Sequence, residues 1–233
     1  SMGYNIRVKE NSTHRFIEMK NNKELKKIKY TVPGDPSSAA FVITAACLKP
    51  GSKLIVKNIL YNRTRIGFLK TLKKMGGNIT VTKKRKVKNE LIADIRVDQK
   101  DFLKSINLSS NEIPLQIDEI PILSIAASYA LGLTIFKGLK ELTVKESNRL
   151  LLIHKNLKKI GVKSEIKKYD LYIYGNQNLK KGAAIINHEN DHRILMAFYI
   201  ANIICKKNNI IKDKSCVKTS YPKFFQDISR LSN

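Results

Sequence analysis

The stretch "VKESNRL" at 144–150 sets Lys145 and Arg149 four residues apart with Glu146 between them. Its spacing predicts the first turn of a helix, where residues four apart share a face and two like charges repel by about a few tenths of a kcal/mol. A helix start also carries the positive end of the macrodipole, so cations are disfavoured there and anions are welcome. Two readings are open. One is a solvated face in which Glu146 partly neutralises Arg149 at i,i+3. The other is a pair of cations placed to receive an anion through charge-assisted hydrogen bonds.

Other residues of the same kind stand at the starts of apolar segments: Asp35, Ser37 and Ser38; Asp118 and Glu119; Asp191, His192 and Arg193; and Lys218, Thr219 and Ser220 in a loop before the last helical stretch. Each has an ordinary structural role. Asp35, Ser37 and Asp118 suit N-caps, His192 a satisfied structural histidine, Arg193 a partner for Asp191, and Lys218 a loop lysine. A shared address would change their meaning, because aligned helix starts flanked by Lys and Arg attract phosphate and carboxylate.

An internal repeat supplies that address. "PGDPSSAAFVITAACLKPGSKLIVKNI" (33–59), "QIDEIPILSIAASYALGLTIFKGL" (116–139) and "NDHRILMAFYIANIICKKNNIIKD" (190–213) each open an apolar helix with an acid: Asp35, Asp118 and Asp191. In the first two, a Gly turn and a short strand follow. A second helix comes next, "RIGFLKTLKKMG" (65–76), "RLLLIHKNLKKIG" (149–161) and "YPKFFQDISRL" (221–231). Leu72 and Leu157 hold the apolar face, Gly76 and Gly161 suit left-handed C-caps, and Pro222 suits a first helical position. β-Branched runs such as "NITVT" with "LIADIRV", and "VKSEI" with "LYIYG", predict hairpins. The unit is helix, strand, helix and two strands, with a period of about eighty residues. Three units packed side by side bring the acid-led helix starts together. "IRVKENSTHRFIEM" (6–19) alternates like strand, residues 20–29 read as a polar loop, and a boundary falls near Tyr30.

With 233 residues and 42% hydrophobic content, the chain can bury a sizeable core. Forty-four Lys and Arg against 19 Asp and Glu give a net charge of +25. Such an excess suits nucleic acid, an anionic surface or small anionic substrates. The basic residues are spread out, and the one dense run, "KKRKVK" (83–88), lacks the interleaved aromatics of a base-stacking platform. Nucleic acid is therefore the weaker reading. Cys47, Cys205 and Cys216 are odd in number and far apart, which predicts free thiols in a reducing compartment and no metal centre. Neither a membrane span nor a signal peptide is evident.

In order along the chain, "VPGDPSSAAF", "IDEIP", "VKESNRL", "NDHRILMAF" and "CVKTSYPKFF" closely resemble the C-terminal half of the EPSP synthase (5-enolpyruvylshikimate-3-phosphate synthase) family. The resemblance runs from Val32 to the end. Thr143 and Asn148 depart from it, standing where the family more often has Arg and Asp. The resemblance implies an inside-out α/β barrel of repeated βαβαββ units, the enolpyruvyl transferase fold, as one of two such domains. It implies that residues 1–29 are a tag remnant plus the tail of, or crossover from, a missing N-terminal domain. Residues 30–233 would be the C-terminal domain, with units at about 30–105, 106–180 and 181–233.

The implied activity is transfer of the enolpyruvyl group of phosphoenolpyruvate to the 5-hydroxyl of shikimate 3-phosphate, with release of phosphate, in the cytoplasm. No cofactor or metal is implied, and the half-enzyme is expected to be inactive alone. By motif position, Asp118 resembles the residue that hydrogen-bonds the attacking hydroxyl, and Glu146 the acid and base at the methylene carbon, with Lys145 beside it. Arg149, Arg193 and Lys218 resemble the cations that hold phosphoenolpyruvate, the site at which glyphosate would compete; Asp35 and His192 would support them. The alternative of another class is a basic repeat domain that binds nucleic acid without catalysis. The paired acids Asp118 and Glu146 argue against it, since such a module has no use for them.

Overall fold

A computed structural model describes residues 6–19, 27, 29–175, 184–205 and 210–232. The expected loop at 20–29 falls almost wholly outside the described residues, as does the "SMG" start. An N-terminal hairpin, β1 (Ile6–Glu10) with β2 (Arg15–Met19), is a two-stranded sheet exposed along both strands. The first repeat follows as α1 (Pro36–Leu48), β3 (Lys53–Leu60), α2 (Gly67–Lys74), β4 (Ile79–Val87) and β5 (Glu90–Asp98). The second is β6 (Asn107–Leu108), α3 (Ile120–Tyr129), β7 (Gly132–Phe136), α4 (Arg149–Lys159), β8 (Lys163–Lys167) and β9 (Asp170–Gly175). The third holds α5 (His192–Cys205), the short α6 (Val217–Ser220) and α7 (Phe224–Ser232).

Helices α1, α3 and α5 carry apolar residues on every side and are buried together, as all-round apolar helices must be. Two sheets cover them, in strand orders β3-β5-β4 and β6-β7-β9-β8. Strand alternation sets which side faces the helices: Leu171 and Ile173 of β9 are fully buried, while Tyr172 and Tyr174 face outward under Lys167 and Lys163. Sheets outside and helices inside are the arrangement that the resemblance implies.

The second helices meet expectation at their C-termini. Leu72 and Leu157 are fully buried. Gly76 and Gly161 adopt φ of 94° and 86°, and the following amides bond back to Leu72 and Leu157, which closes both helices in the same way. Three details differ from the reading of the residues alone, and the first of them, a leading strand, is what the resemblance to βαβαββ units implies. Each repeat has a short leading strand parallel to the strand after its first helix, through Gly34 with Ile59, β6 with β7, and Ile185 with Ile210. One or two residues are too few for alternation to register. Pro222 lies in a turn two residues ahead of α7, whose first amide, Phe224 N–H, bonds to Tyr221 C=O at 3.0 Å. Lys218 sits in α6 and not in a loop. Among the described residues, no helix is long and apolar enough to cross a membrane.

Candidate active site

The starts of α1, α3, α4 and α5 meet at one end of the domain, where Arg149 is the hub. It is the first residue of α4 and is fully buried. Its Nε donates to Asp191 Oδ2 at 2.7 Å, one terminal nitrogen donates to Asp118 Oδ1 at 3.1 Å, and the other bonds Glu146. A cation at a helix N-terminus opposes the macrodipole, so these acids are what allow it to be buried there.

The expected helical start at Lys145 is not found. Lys140–Val144 form a 3-10 turn, Lys145 is extended, and Asn148 caps α4 by accepting from Leu151 N–H at 3.1 Å. The uncharged Asn148 thus does the capping that an Asp would do. Lys145 and Arg149 consequently share an acid. Asp118 Oδ1 lies 3.6 Å from Lys145 Nζ and 3.1 Å from Arg149, and Glu141 bonds Lys145 at 2.5 Å. The like-charge repulsion that the spacing suggests is present but outweighed, because Glu141 and Asp118 favour the Lys145 ammonium more than Arg149 opposes it.

Asp118 also lies 3.7 Å from Arg193, so cations from the second and third repeats converge on one carboxylate. Burial alone would raise its carboxyl, but Arg193, Lys145 and Arg149 outweigh burial and hold it below the ordinary range. It does not cap α3 as expected; it sits in the 3-10 turn Ile117–Glu119 ahead of that helix. Asp35 and Asp191 are true caps. Asp35 accepts from Ser38 N–H at 2.8 Å, and Asp191 Oδ1 from Arg193 N–H at 2.9 Å and Ile194 N–H at 3.3 Å.

Glu146 is about half exposed beside Arg149. Lys145 has its ammonium form favoured, first by the hydrogen bond to Glu141. His192, at the start of α5, is partly buried; burial and then the charge of Arg193 push its pKa down. Lys218 is exposed and forms no ion pair with another described residue.

Three participants had no role assigned from the sequence, although Asp191 and Glu119 were placed at the shared address. Asp191 is fully buried and holds both Arg149 and Ser147, at 2.7 and 2.9 Å; its repeat equivalence to Asp35 marked its position but not its partners. Glu119 is buried, accepts from Ser37 Oγ at 2.5 Å and lies 3.8 Å from Arg193. Arg65 reaches Ser37 Oγ at 3.0 Å and Asp35 at 3.5 Å. Glu119 was marked only by its place beside Asp118, and no local signal in the sequence singles out Arg65. Among the described residues, no group of three or more His, Cys, Asp or Glu is placed to hold a metal ion.

The arrangement can grip a small polyanion: guanidinium and ammonium groups converge beside carboxylates able to exchange protons. The fold is that of the enolpyruvyl transferases. The solved enolpyruvyl transferase NikO from Streptomyces tendae is similar to it with a TM-score of 0.68 at 14% identity, over 97% of this chain and 50% of that one, which is a likeness of fold. The EPSP synthase from Acinetobacter baumannii is nearer, with a TM-score of 0.86 at 31% identity over 99% of this chain and 52% of that one.

Curated relatives named 3-phosphoshikimate 1-carboxyvinyltransferase agree. That of Persephonella marina is 40% identical over 231 residues, and that of Zymomonas mobilis 41% over 228, covering 99% and 96% of this chain. A family model described as EPSP synthase (3-phosphoshikimate 1-carboxyvinyltransferase) matches residues 1–228. The chain therefore belongs to the EPSP synthase family. It spans about half the length of these relatives, 53% and 50%.

Proposed function

We propose that this chain forms one wall of an active site that transfers the enolpyruvyl group of phosphoenolpyruvate to the 5-hydroxyl of shikimate 3-phosphate and releases phosphate. A companion N-terminal domain supplies the facing wall and most contacts to shikimate 3-phosphate. The β1–β2 hairpin, within residues 1–29, is the tail of that domain or the crossover from it, and residues 30–233 are the catalytic C-terminal domain. The reaction runs in the cytoplasm, and glyphosate competes for the phosphoenolpyruvate site.

The observation that carries this reading is the sharing of the Asp118 carboxylate among Lys145, Arg149 and Arg193. An acid held ionised among cations accepts a hydrogen bond from the attacking hydroxyl and takes its proton as the oxygen bonds to the substrate carbon. The carboxylate and phosphate of phosphoenolpyruvate suit the Arg149 and Arg193 forks, with Lys218 reaching in from α6 once substrate is present. An anion arriving on Arg149 competes with Glu146 for its outer nitrogen. Released from that pair and facing the substrate's negative charge, Glu146 takes up a proton from solvent and gives it to the methylene carbon; after addition its carboxylate takes a proton back from the resulting methyl group as phosphate leaves, with Lys145 beside it.

Mixing the chain with a separately produced companion half, phosphoenolpyruvate and shikimate 3-phosphate tests this. Phosphate release is expected from the mixture and from neither half alone. A folded, associated pair that releases none overturns the reading.

A further inference from the structure

Arg193 is held differently from Arg149. Arg149 is saturated by close bonds to three acids, whereas Arg193 makes only longer contacts: 3.7 Å to Asp118 Oδ2, 3.3 Å to Asp118 C=O and 3.8 Å to Glu119 Oε1. Its side chain is 14% exposed, so it meets a ligand without first giving up a close acid partner, as the fully buried Arg149 must. What holds it in place comes from below. Glu119 is 3% exposed and lies in the same 3-10 turn as Asp118, with its carboxylate anchored on Ser37 Oγ at 2.5 Å. Ser37, itself 2% exposed in the first turn of α1, accepts in turn from Arg65 at 3.0 Å. Arg65 belongs to the loop before α2 and rests on the Asp35 cap. The chain Arg65–Ser37–Glu119–Arg193 therefore crosses all three repeats.

Burial of an ionisable Glu is unfavourable unless it is paired, and a site that wants apolar packing here would use an apolar residue. We infer that Glu119 is a positioning residue for Arg193, fixing that guanidinium for the phosphoenolpyruvate anion, and that Arg65 acts on the same grip through Ser37. The inference rests on the function proposed above. Ser37 donates its hydroxyl hydrogen to Glu119, which leaves its oxygen lone pairs for Arg65, so the serine orients in one sense only. Without Glu119, the guanidinium is drawn wholly onto Asp118, which weakens its hold on an anion and shifts the pairing of the neighbouring base.

The test uses the complete two-domain enzyme. Glu119→Gln keeps the shape and the Ser37 hydrogen bond and removes the charge. It is expected to raise KM for phosphoenolpyruvate about tenfold, as the 3.8 Å ion pair that holds the Arg193 guanidinium is lost, while lowering kcat less and leaving KM for shikimate 3-phosphate within about twofold. Arg65→Ala, at an exposed position where folding is safe, is expected to raise the same KM about threefold, and to add nothing in a Ser37→Ala background.

Equal losses for both substrates, or additive Arg65 and Ser37 effects, would overturn the relay. If the unsubstituted enzyme turns over normally and Glu119→Gln binds phosphoenolpyruvate as well as it does, this inference alone falls. If the unsubstituted enzyme transfers no enolpyruvyl group, the functional reading falls with it.

Discussion

Two ends of the repeat pair the same residue types under different burial. In the first repeat, Asp35 caps α1 and meets Arg65 at 3.5 Å, with both side chains about half exposed. At the start of the third, Asp191 caps α5 and meets Arg149 at 2.7 Å, with both fully buried. An exposed pair contributes about 0–1 kcal/mol, because water and salt screen it and two long side chains must be ordered. A buried pair carries a desolvation cost that only close geometry and further hydrogen bonds offset, and Asp191 has those from Ser147, Arg193 N–H and Ile194 N–H. One structural plan has thus been left as a cap in the first copy and turned into a charged hub between the second and third.

The sharpest way to break this contrast is to remove one buried partner. Arg149→Met or Asp191→Asn leaves an unpaired or poorly paired polar group in the interior and is expected to destabilise the domain by about 3–5 kcal/mol, read by urea unfolding. A loss below about 1 kcal/mol would show that the hub is no more than another surface pair. Next in size is Glu146→Gln in the complete enzyme, where removing the proposed proton-transfer group is expected to lower kcat by at least about a hundredfold with little change in stability. Glu146 is about half exposed, so structure alone gives little reason for such a loss; near-normal turnover would exclude it from the chemistry. Asp35→Ala is smaller still. Losing the bond to Ser38 N–H should destabilise by about 1 kcal/mol, and the Arg65 partner should add little, as a double-mutant cycle would measure.

The repeat, the buried leucines of the second helices and their glycine C-caps were legible because periodicity and left-handed backbone requirements are local. The shared address of Asp35, Asp118, Asp191 and Arg193 was legible because repetition carries equivalent residues to one end. The pairing within that address was not. Asp118 draws Lys145 from the segment before α4, Arg149 from α4 and Arg193 from α5, and no spacing encodes which cation reaches which oxygen. The helical register of Lys145 was misread for a similar reason: i,i+4 spacing suits a helix, yet the Asn148 cap delays the helix to Arg149. The roles of Glu119 and Arg65 were hidden because the contacts that give each its role, through the buried Ser37, exist only once the units pack.

The finest discrimination lies between adjacent acids. Asp118 and Glu119 share a turn, yet their carboxyls shift in opposite directions. Cations hold Asp118 down against the effect of burial, whereas burial holds Glu119 up, although Ser37, Arg193 and Arg65 pull it down. The stability consequences have opposite signs. A depressed Asp118 contributes stability above its unfolded value of about 3.9, and that contribution is lost as pH falls through the folded value. A raised Glu119 favours folding in its neutral form below about 4.3, and that advantage is lost as pH rises through its folded value, so ionised Glu119 works against the fold at neutral pH.

Glu119→Gln should therefore raise the unfolding midpoint slightly at pH 7 and give no gain near pH 4, an effect smaller than the loss from Asp35→Ala. Asp118→Asn should do the reverse, costing stability at pH 7 and little in acid. Thermal unfolding of the two variants across pH 3–8 separates them. A Glu119→Gln variant destabilised at pH 7 would mean that its ionised carboxylate is held by Ser37 and Arg193 more firmly than its burial opposes. The same acid would then serve the fold, and a weakened grip on substrate could no longer be ascribed to Arg193 alone.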